Sequence, residues 1–170
     1  NFFPDEIKQF IVGNFESDPD FSASLAEVDC IIHLAGKAHV IDKDKALDID
    51  SFRKINTTLT LNLAKSAVEA KVKRFIFLSS IGVNGVQNSQ PFLESDTPNP
   101  QGSYAISKYE AEQALLNIAK DSSLEVVIIR PPLVYGNNAP GNFGRLVKWA
   151  EAKVMLPLPL GSVNNARSFI

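Results

Sequence analysis

The chain has 170 residues, 45% of them hydrophobic and 21% charged, enough for one domain with a sizeable core. Its 17 basic and 19 acidic residues are scattered and leave a formal net charge of -2, so no basic face for nucleic acid or anionic lipid is expected. A single cysteine excludes an internal disulfide and suits a reducing cytoplasm, and no apolar stretch approaches the ~18 residues that span a bilayer.

The opening "NFFPDEIKQF" has no initiator methionine and lacks the basic start and apolar run of a signal peptide. "IKQFIV" (7–12) reads as a strand and "DFSASLAEV" (20–28) as a short helix. "CIIHLA" (30–35) reads as a strand apolar on both faces, with Cys30 a small buried hydrophobe and His33 a packed core histidine. From Phe52 to Ala70 the apolar residues Ile55, Leu59, Leu63, Ala67 and Ala70 recur every three or four positions, which is a helix with one buried stripe. "RFIFLSS" (74–80) is the next strand, with Phe75, Ile76 and Phe77 in the core. Residues 81–103 form a loop rich in Gly, Asn, Ser and Pro, in which Glu94 and Asp96 are solvated. A second long helix covers about 104–119. It is followed by the strand "LEVVIIR" (124–130), which carries Ile128 and Ile129 into the core and stops at Pro131 and Pro132, because proline cannot donate to a sheet ladder. Trp149, in the amphipathic "FGRLVKWAEA", is expected to pack. Strands and helices that alternate, with strands apolar throughout, predict an α/β domain: a doubly wound parallel sheet covered on both faces. Ligands of such sheets bind beyond the carboxyl ends of the strands, here Ala35 to Ala38, Ser79 to Gly85 and Pro131 to Gly136.

At one of those ends "YAISK" places Tyr104 and Lys108 four residues apart on one helix face, where they can converge on one substrate. A lysine ammonium beside a phenol favours the phenolate and lowers its pKa from ~10, which makes Tyr104 a candidate proton shuttle. Ser80, at the tip of a central strand, could donate to the same reacting oxygen. Asn56 sits inside the first long helix, and two readings stay open for it: a bond to backbone near the site, or a surface amide. Lys37 and His39 follow "HLAG" and are read equally as cofactor neighbours or solvated loop. No metal is expected.

Several motifs in one order then accompany this pair: "HLAG" (33–36), "RFIFLSSIGVNG" (74–85), "YAISKYEAE" (104–112), "RPPLVYG" (130–136), "NF" (142–143), "LPLG" (158–161) and the terminal "RSFI". With them the chain resembles the extended short-chain dehydrogenase/reductase family, specifically its nucleotide-sugar epimerases, dehydratases and reductases. The resemblance implies a Rossmann-like doubly wound parallel sheet, with Tyr104 as acid/base, Lys108 holding the nicotinamide ribose, and Ser80 positioning the sugar oxygen. It implies NAD or NADP lined by Leu34, Ala35, Gly36, Ser79, Tyr104, Lys108, Pro132 and Leu133, and a UDP-sugar held by Ser80, Asn142 and Arg167. The guanidinium of Arg167 suits a diphosphate. Helices 52–70 and 104–119 resemble those that pair two subunits in this family, so a homodimer is expected unless their apolar stripes are used in covering the sheet.

The chain departs from the family at both ends. The family's first strand and its G-x-x-G-x-x-G turn, whose amides receive the pyrophosphate, have no counterpart here, and Gly13 stands isolated in "VGN". The expectation is therefore the interior of a longer protein: residues 1–136 as a partial NAD(P)-binding domain truncated at its N-terminus, and 137–170 as the beginning of a small substrate-binding lobe. This segment alone is expected to be inactive. The family's dehydratases place an Asp-Glu pair after the catalytic Ser/Thr, where Ile81 and Gly82 stand here, which speaks against dehydration. What remains is 4-epimerisation or 4-keto reduction of a UDP-hexose or UDP-N-acetylhexosamine, as in bacterial surface-polysaccharide enzymes. The alternative is a non-catalytic dinucleotide-binding or scaffold protein on the same fold.

Overall fold

The computed structural model describes Asn14, Ser17 and residues 19–38, 48–134, 147–149 and 151–152. The strand expected at 7–12, and His39, Asn142 and Arg167, lie outside the described residues. By its internal contacts the chain divides into two compact units, Asn1–Arg130 and Pro131–Ile170.

In the first unit, three parallel strands lie in the order of the chain: β1 (Cys30–His33), β2 (Arg74–Leu78) and β3 (Glu125–Ile129). Their register sets His33 beside Phe77 and Phe77 beside Ile128. A helical stretch follows β1, made of α1 (Ile49–Arg53), a π-helical segment (Lys54–Thr58) and α2 (Leu59–Glu69). It begins at 49 and not at 52, because Asp48 caps it: the carboxylate accepts from the Asp50 backbone N–H at 3.0 Å. A single 3-10 turn (Ile81–Val83) follows β2, and α3 (Gly102–Lys120) then leads to β3. Parallel neighbours joined by helices make this a Rossmann-like α/β fold.

Alternation along the strands decides what is buried. Phe75 and Phe77, fully buried, point from β2 to one face, where Ala64 and Ala67 of α2 and Ala111 and Leu115 of α3 close over them. The apolar stripes of both long helices are thus used against the sheet. Phe21 and Leu25 pack with Leu59 in a smaller cluster at one side.

The opposite face departs from the expected cover on both sides. The register puts Cys30, Ile32, Val127 and Ile129 on the side away from α2 and α3, and all four are exposed. Cys30 is therefore not a buried hydrophobe and Ile129 not a core residue: they lie on the face opposite Ile31, His33, Val126 and Ile128, the face that α2 and α3 do not cover. Trp149, in the second unit, is half exposed. Among the described residues, no helix is long and apolar enough to cross a membrane.

Candidate active site

The face of α3 that looks along the sheet carries Tyr104, Lys108 and Glu112, each four residues from the last and so stacked on one side of the helix. Tyr104 lies in the first turn, partly buried, its ring edge-on to Phe52 of α1 at 6.4 Å between centroids. The Ser80 hydroxyl lies beside its phenol and pulls the phenol pKa downward. Ser80 is placed there by the end of β2: its side chain caps the 3-10 turn, accepting from Gly82 N–H at 3.1 Å.

One turn further along α3, Lys108 is almost wholly buried. Its ammonium donates to the Leu78 carbonyl at 2.9 Å and sits 4.5 Å from the centroid of the Phe77 ring. Burial pushes its pKa down to about 8, against the upward pull of Glu112. His33, stacked on Phe77 and bonded through Nε2 to Thr60 Oγ1 at 2.9 Å, is held neutral: burial and the Lys108 charge push its pKa down to about 4. It is the packed core histidine that the sequence predicts.

Asn56 settles the question left open for it. The π-helical turn brings it fully into the interior, where Oδ1 accepts from Lys37 N–H at 2.7 Å. Its Nδ2 donates to the Lys37 carbonyl at 3.0 Å and to Ser107 Oγ at 2.9 Å. Thr57 Oγ1 donates to the Ser107 carbonyl at 2.9 Å, and Ser107 Oγ donates to the Tyr104 carbonyl at 2.8 Å. The loop after β1 is thereby tied through one amide to the helix that bears Tyr104. Extra residues in a helical turn recur at functional sites, where they aim a side chain inward. Lys37 is held in the same cluster, its Nζ bonded to Ser51 Oγ and 5.7 Å from the Phe52 ring centroid.

Two details test whether these residues fit a dinucleotide. A Cβ on Gly36 would come within 3.2 Å of Lys108 Nζ and 3.3 Å of Asn56 Oδ1, so any larger residue requires one of these two groups to give by a few tenths of an ångström. Ser79 Oγ, buried next to Ser80, has no hydrogen-bond partner among the described residues. A backbone held open against a buried cation, beside an orphaned hydroxyl, fits a polar cofactor edge. Leu34, at the mouth of the same loop, is 65% exposed.

Below Lys108 lies a pair that the sequence did not single out. Glu112 is fully buried, and Arg130, the residue after β3, grips both its oxygens, from Nε at 2.9 Å and Nη2 at 2.5 Å. Arg130 Nη1 donates to Asn84 Oδ1 at 3.1 Å. The pair lines a cavity of about 360 Å3 together with Phe92, Leu116 and Ile128.

Ser80 lies beside Tyr104, and Gly36 lies against Lys108 one turn further along α3, whereas Pro132 and Leu133 fall in the second unit. One expectation is corrected. The Tyr104 phenol is raised, not lowered: loss of water around the ring outweighs the pull of Ser80, while the Lys108 ammonium is turned to the Leu78 carbonyl and the Phe77 face. Ser107, Glu112 and Arg130 were missed, although Ser107 at i+3 and Glu112 at i+8 from Tyr104 were within reach of helical spacing.

A parallel sheet with Ser80 at the end of β2 beside Tyr104, and Lys108 one turn further along α3, is the arrangement that the sequence motifs led one to look for. The chain matches the NAD dependent epimerase/dehydratase family over residues 3–170 and belongs to that family. It is 43% identical over 164 residues to the UDP-glucose 4-epimerase of Vibrio cholerae, covering 95% of this chain and 49% of that protein. The UDP-glucose 4-epimerase of Rhizobium meliloti is 31% identical over 139 residues, covering 81% of this chain and 40% of that one. Among solved structures, a dTDP-glucose 4,6-dehydratase from Streptomyces venezuelae with NAD bound superposes with a TM-score of 0.81 at 26% identity, covering 98% and 51% of the two chains. UDP-glucuronic acid 4-epimerase from Bacillus cereus in complex with NAD gives a TM-score of 0.73 at 27% identity, covering 85% and 46%. The chain thus spans about half the length of the relatives it matches.

Proposed function

We propose that the protein is an NAD-dependent nucleotide-sugar 4-epimerase, acting on a UDP-hexose or UDP-N-acetylhexosamine, with Ser80 and Tyr104 as the proton-transfer pair and Lys108 as its cationic support. The observation that carries this reading is the buried Lys108 one helical turn from Tyr104 on α3, packed against the Gly36 turn, with the Ser80 hydroxyl beside the phenol. The two epimerase relatives favour epimerisation over 4-keto reduction. Leu34, Ala35, Gly36, Ser79 and Lys108 would hold the dinucleotide. Bound NAD supplies the hydride carrier and a positive charge that favours the phenolate.

Tyr104 accepts the proton of the sugar's 4-hydroxyl as the C–H bond at that carbon breaks and a ketone forms, and it returns the proton when the C–H bond is remade on the other face. Ser80 steadies the developing oxygen charge, and Phe52 walls one side of the phenol. Asn142 and Arg167 are proposed to contact the diphosphate.

Tyr104→Phe in the complete protein tests the assignment. It should lower turnover at least ~100-fold, the usual weight of a positioned acid/base. Turnover kept within a few-fold sinks the shuttle role.

A further inference from the structure

We propose that Asn84, Arg130 and Glu112 are positioning residues for the acid/base pair: they clamp the turn that carries Ser80 to the helix that carries Tyr104. The proposal rests on the reading of those two residues given above, and it concerns groups that touch neither substrate nor cofactor.

Two separate chain segments must be held in register for the Ser80 hydroxyl to stand beside the Tyr104 phenol. Ser80 opens the 3-10 turn and Asn84 closes it, with Val83 N–H bonded to the Ser80 carbonyl at 3.1 Å and Asn84 N–H to the Ile81 carbonyl at 3.0 Å. Tyr104 and Glu112 lie two turns apart on the stiff rod of α3. Arg130 bridges them. Its Nε and Nη2 engage the two oxygens of Glu112, and its remaining Nη1 engages Asn84 Oδ1, so the planar guanidinium fixes both partners at once. Asn84 Nδ2 in turn donates to the Leu93 carbonyl at 3.3 Å, which orients its amide with the oxygen toward Arg130.

Energetics point the same way. A buried ion pair gains little net stability over apolar residues of the same volume, because desolvation offsets the attraction. Asn84 stands at φ -70 and ψ -29, a backbone that any residue adopts, so nothing in its main chain calls for asparagine. What an apolar trio could not do is fix the distance and angle between the 3-10 turn and α3 through directional bonds. A misplacement of about an ångström at a reacting group can cost ~100-fold in rate, which makes such a clamp consequential.

The test is Asn84→Leu, which keeps the Glu112–Arg130 pair but cuts its link to the Ser80 turn. Turnover of the complete protein should fall at least ~10-fold with KM little changed. In the same variant the Tyr104 phenol, which Ser80 pulls downward, should titrate higher still. That titration is read by phenolate absorbance as the difference between each protein and its Tyr104→Phe counterpart, since the chain has three tyrosines. The leucine change adds and removes no charge, so the ionisable groups of the neighbouring elements, Lys108 and Glu112 on α3, Lys37 before α1, Arg130 after β3 and His33 on β1, are the same in both proteins. Asn84→Asp, which returns an oxygen to Arg130 while giving up the N–H2 bonded to the Leu93 carbonyl, should recover most of the lost turnover. Because it adds a carboxylate, the phenol titration is compared only among the parent, leucine and alanine proteins. Should the leucine fail to fold, Asn84→Ala adds no bulk and makes the same cut.

Turnover and Tyr104 titration both unchanged in the leucine or alanine variant overturn the clamp, and so does a loss that Asn84→Asp leaves in place. If Tyr104→Phe itself leaves turnover intact, the acid/base reading has failed. The titration, which needs no turnover, then still decides the clamp.

Discussion

Asn56→Ala is the sharpest probe of how the site is assembled. The amide makes three buried bonds, one accepted from Lys37 N–H and two donated, to the Lys37 carbonyl and to Ser107 Oγ. Each hydrogen bond is worth about 1 kcal/mol net, and a buried partner left without one costs more. Ser107 Oγ keeps its bond to the Tyr104 carbonyl, so the severe loss falls on the two backbone groups of Lys37. The sum is ~3 kcal/mol, which corresponds to roughly 6–12 °C in melting temperature for a chain of this size. Urea unfolding of parent and variant measures the free energy directly, and Thr57→Val, which removes a single bond to the Ser107 carbonyl, gives the one-bond scale in the same region. A cost for Asn56→Ala no larger than that of Thr57→Val would refute the view that this amide ties the loop after β1 to α3.

Three further outcomes follow from charge and space. The folded pKa of His33, about 4, lies below its ordinary 6.5, so the unfolded chain binds the extra proton between those values; stability is complete above pH 6.5 and falls by on the order of 3 kcal/mol as pH drops to 4. His33→Phe should abolish that slope in urea melts, and an imidazole that titrates near 6.5 by NMR contradicts it. Lys108, lowered to about 8, gives the mirror case on the alkaline side: its buried ammonium costs stability below pH 8, and raising the pH from 8 to 10.5 should recover about 3 kcal/mol relative to Lys108→Met. A constant difference between the two proteins across that window removes the basis for a perturbed lysine. Gly36→Ala forces a methyl to 3.2 Å from Lys108 Nζ and should cost the complete protein ~10-fold in NADH affinity, since overpacking runs to 1–3 kcal/mol; unchanged fluorescence titration shows that the loop can give way.

How much of this the sequence carries depends on range. The three strands and two long helices were legible because period-two and period-3.6 patterns are local, and Tyr104 with Lys108 was legible because their spacing puts them on one helix face whatever lies around it. Asn56 was not, since its burial depends on a π-helical turn that shifts the helix face by one residue, and no composition rule announces that insertion. The Glu112 carboxylate stood on the same line as Lys108 but had no visible partner. Arg130 comes 18 residues later at the far end of another strand, and only the parallel register brings it back. Cys30 and Ile129 were misread for a similar reason: an all-apolar strand does not say which face the helices cover.

The phenol of Tyr104 shows where a local rule gives way to a global one. Proximity to lysine lowers a phenol pKa when the ammonium faces the oxygen through little intervening matter. Here the lysine is anchored to the Leu78 carbonyl and the Phe77 ring, and the protein around Tyr104 removes water faster than it supplies positive charge, so the phenol is raised. At neutral pH it is a proton donor. Positive charge brought next to it favours the phenolate and so makes it an acceptor. Under the proposed function, proton abstraction is then tied to the presence of the oxidised cofactor. Burial of the ring, not the placement of Lys108, sets the direction of the phenol shift in the fold as it stands.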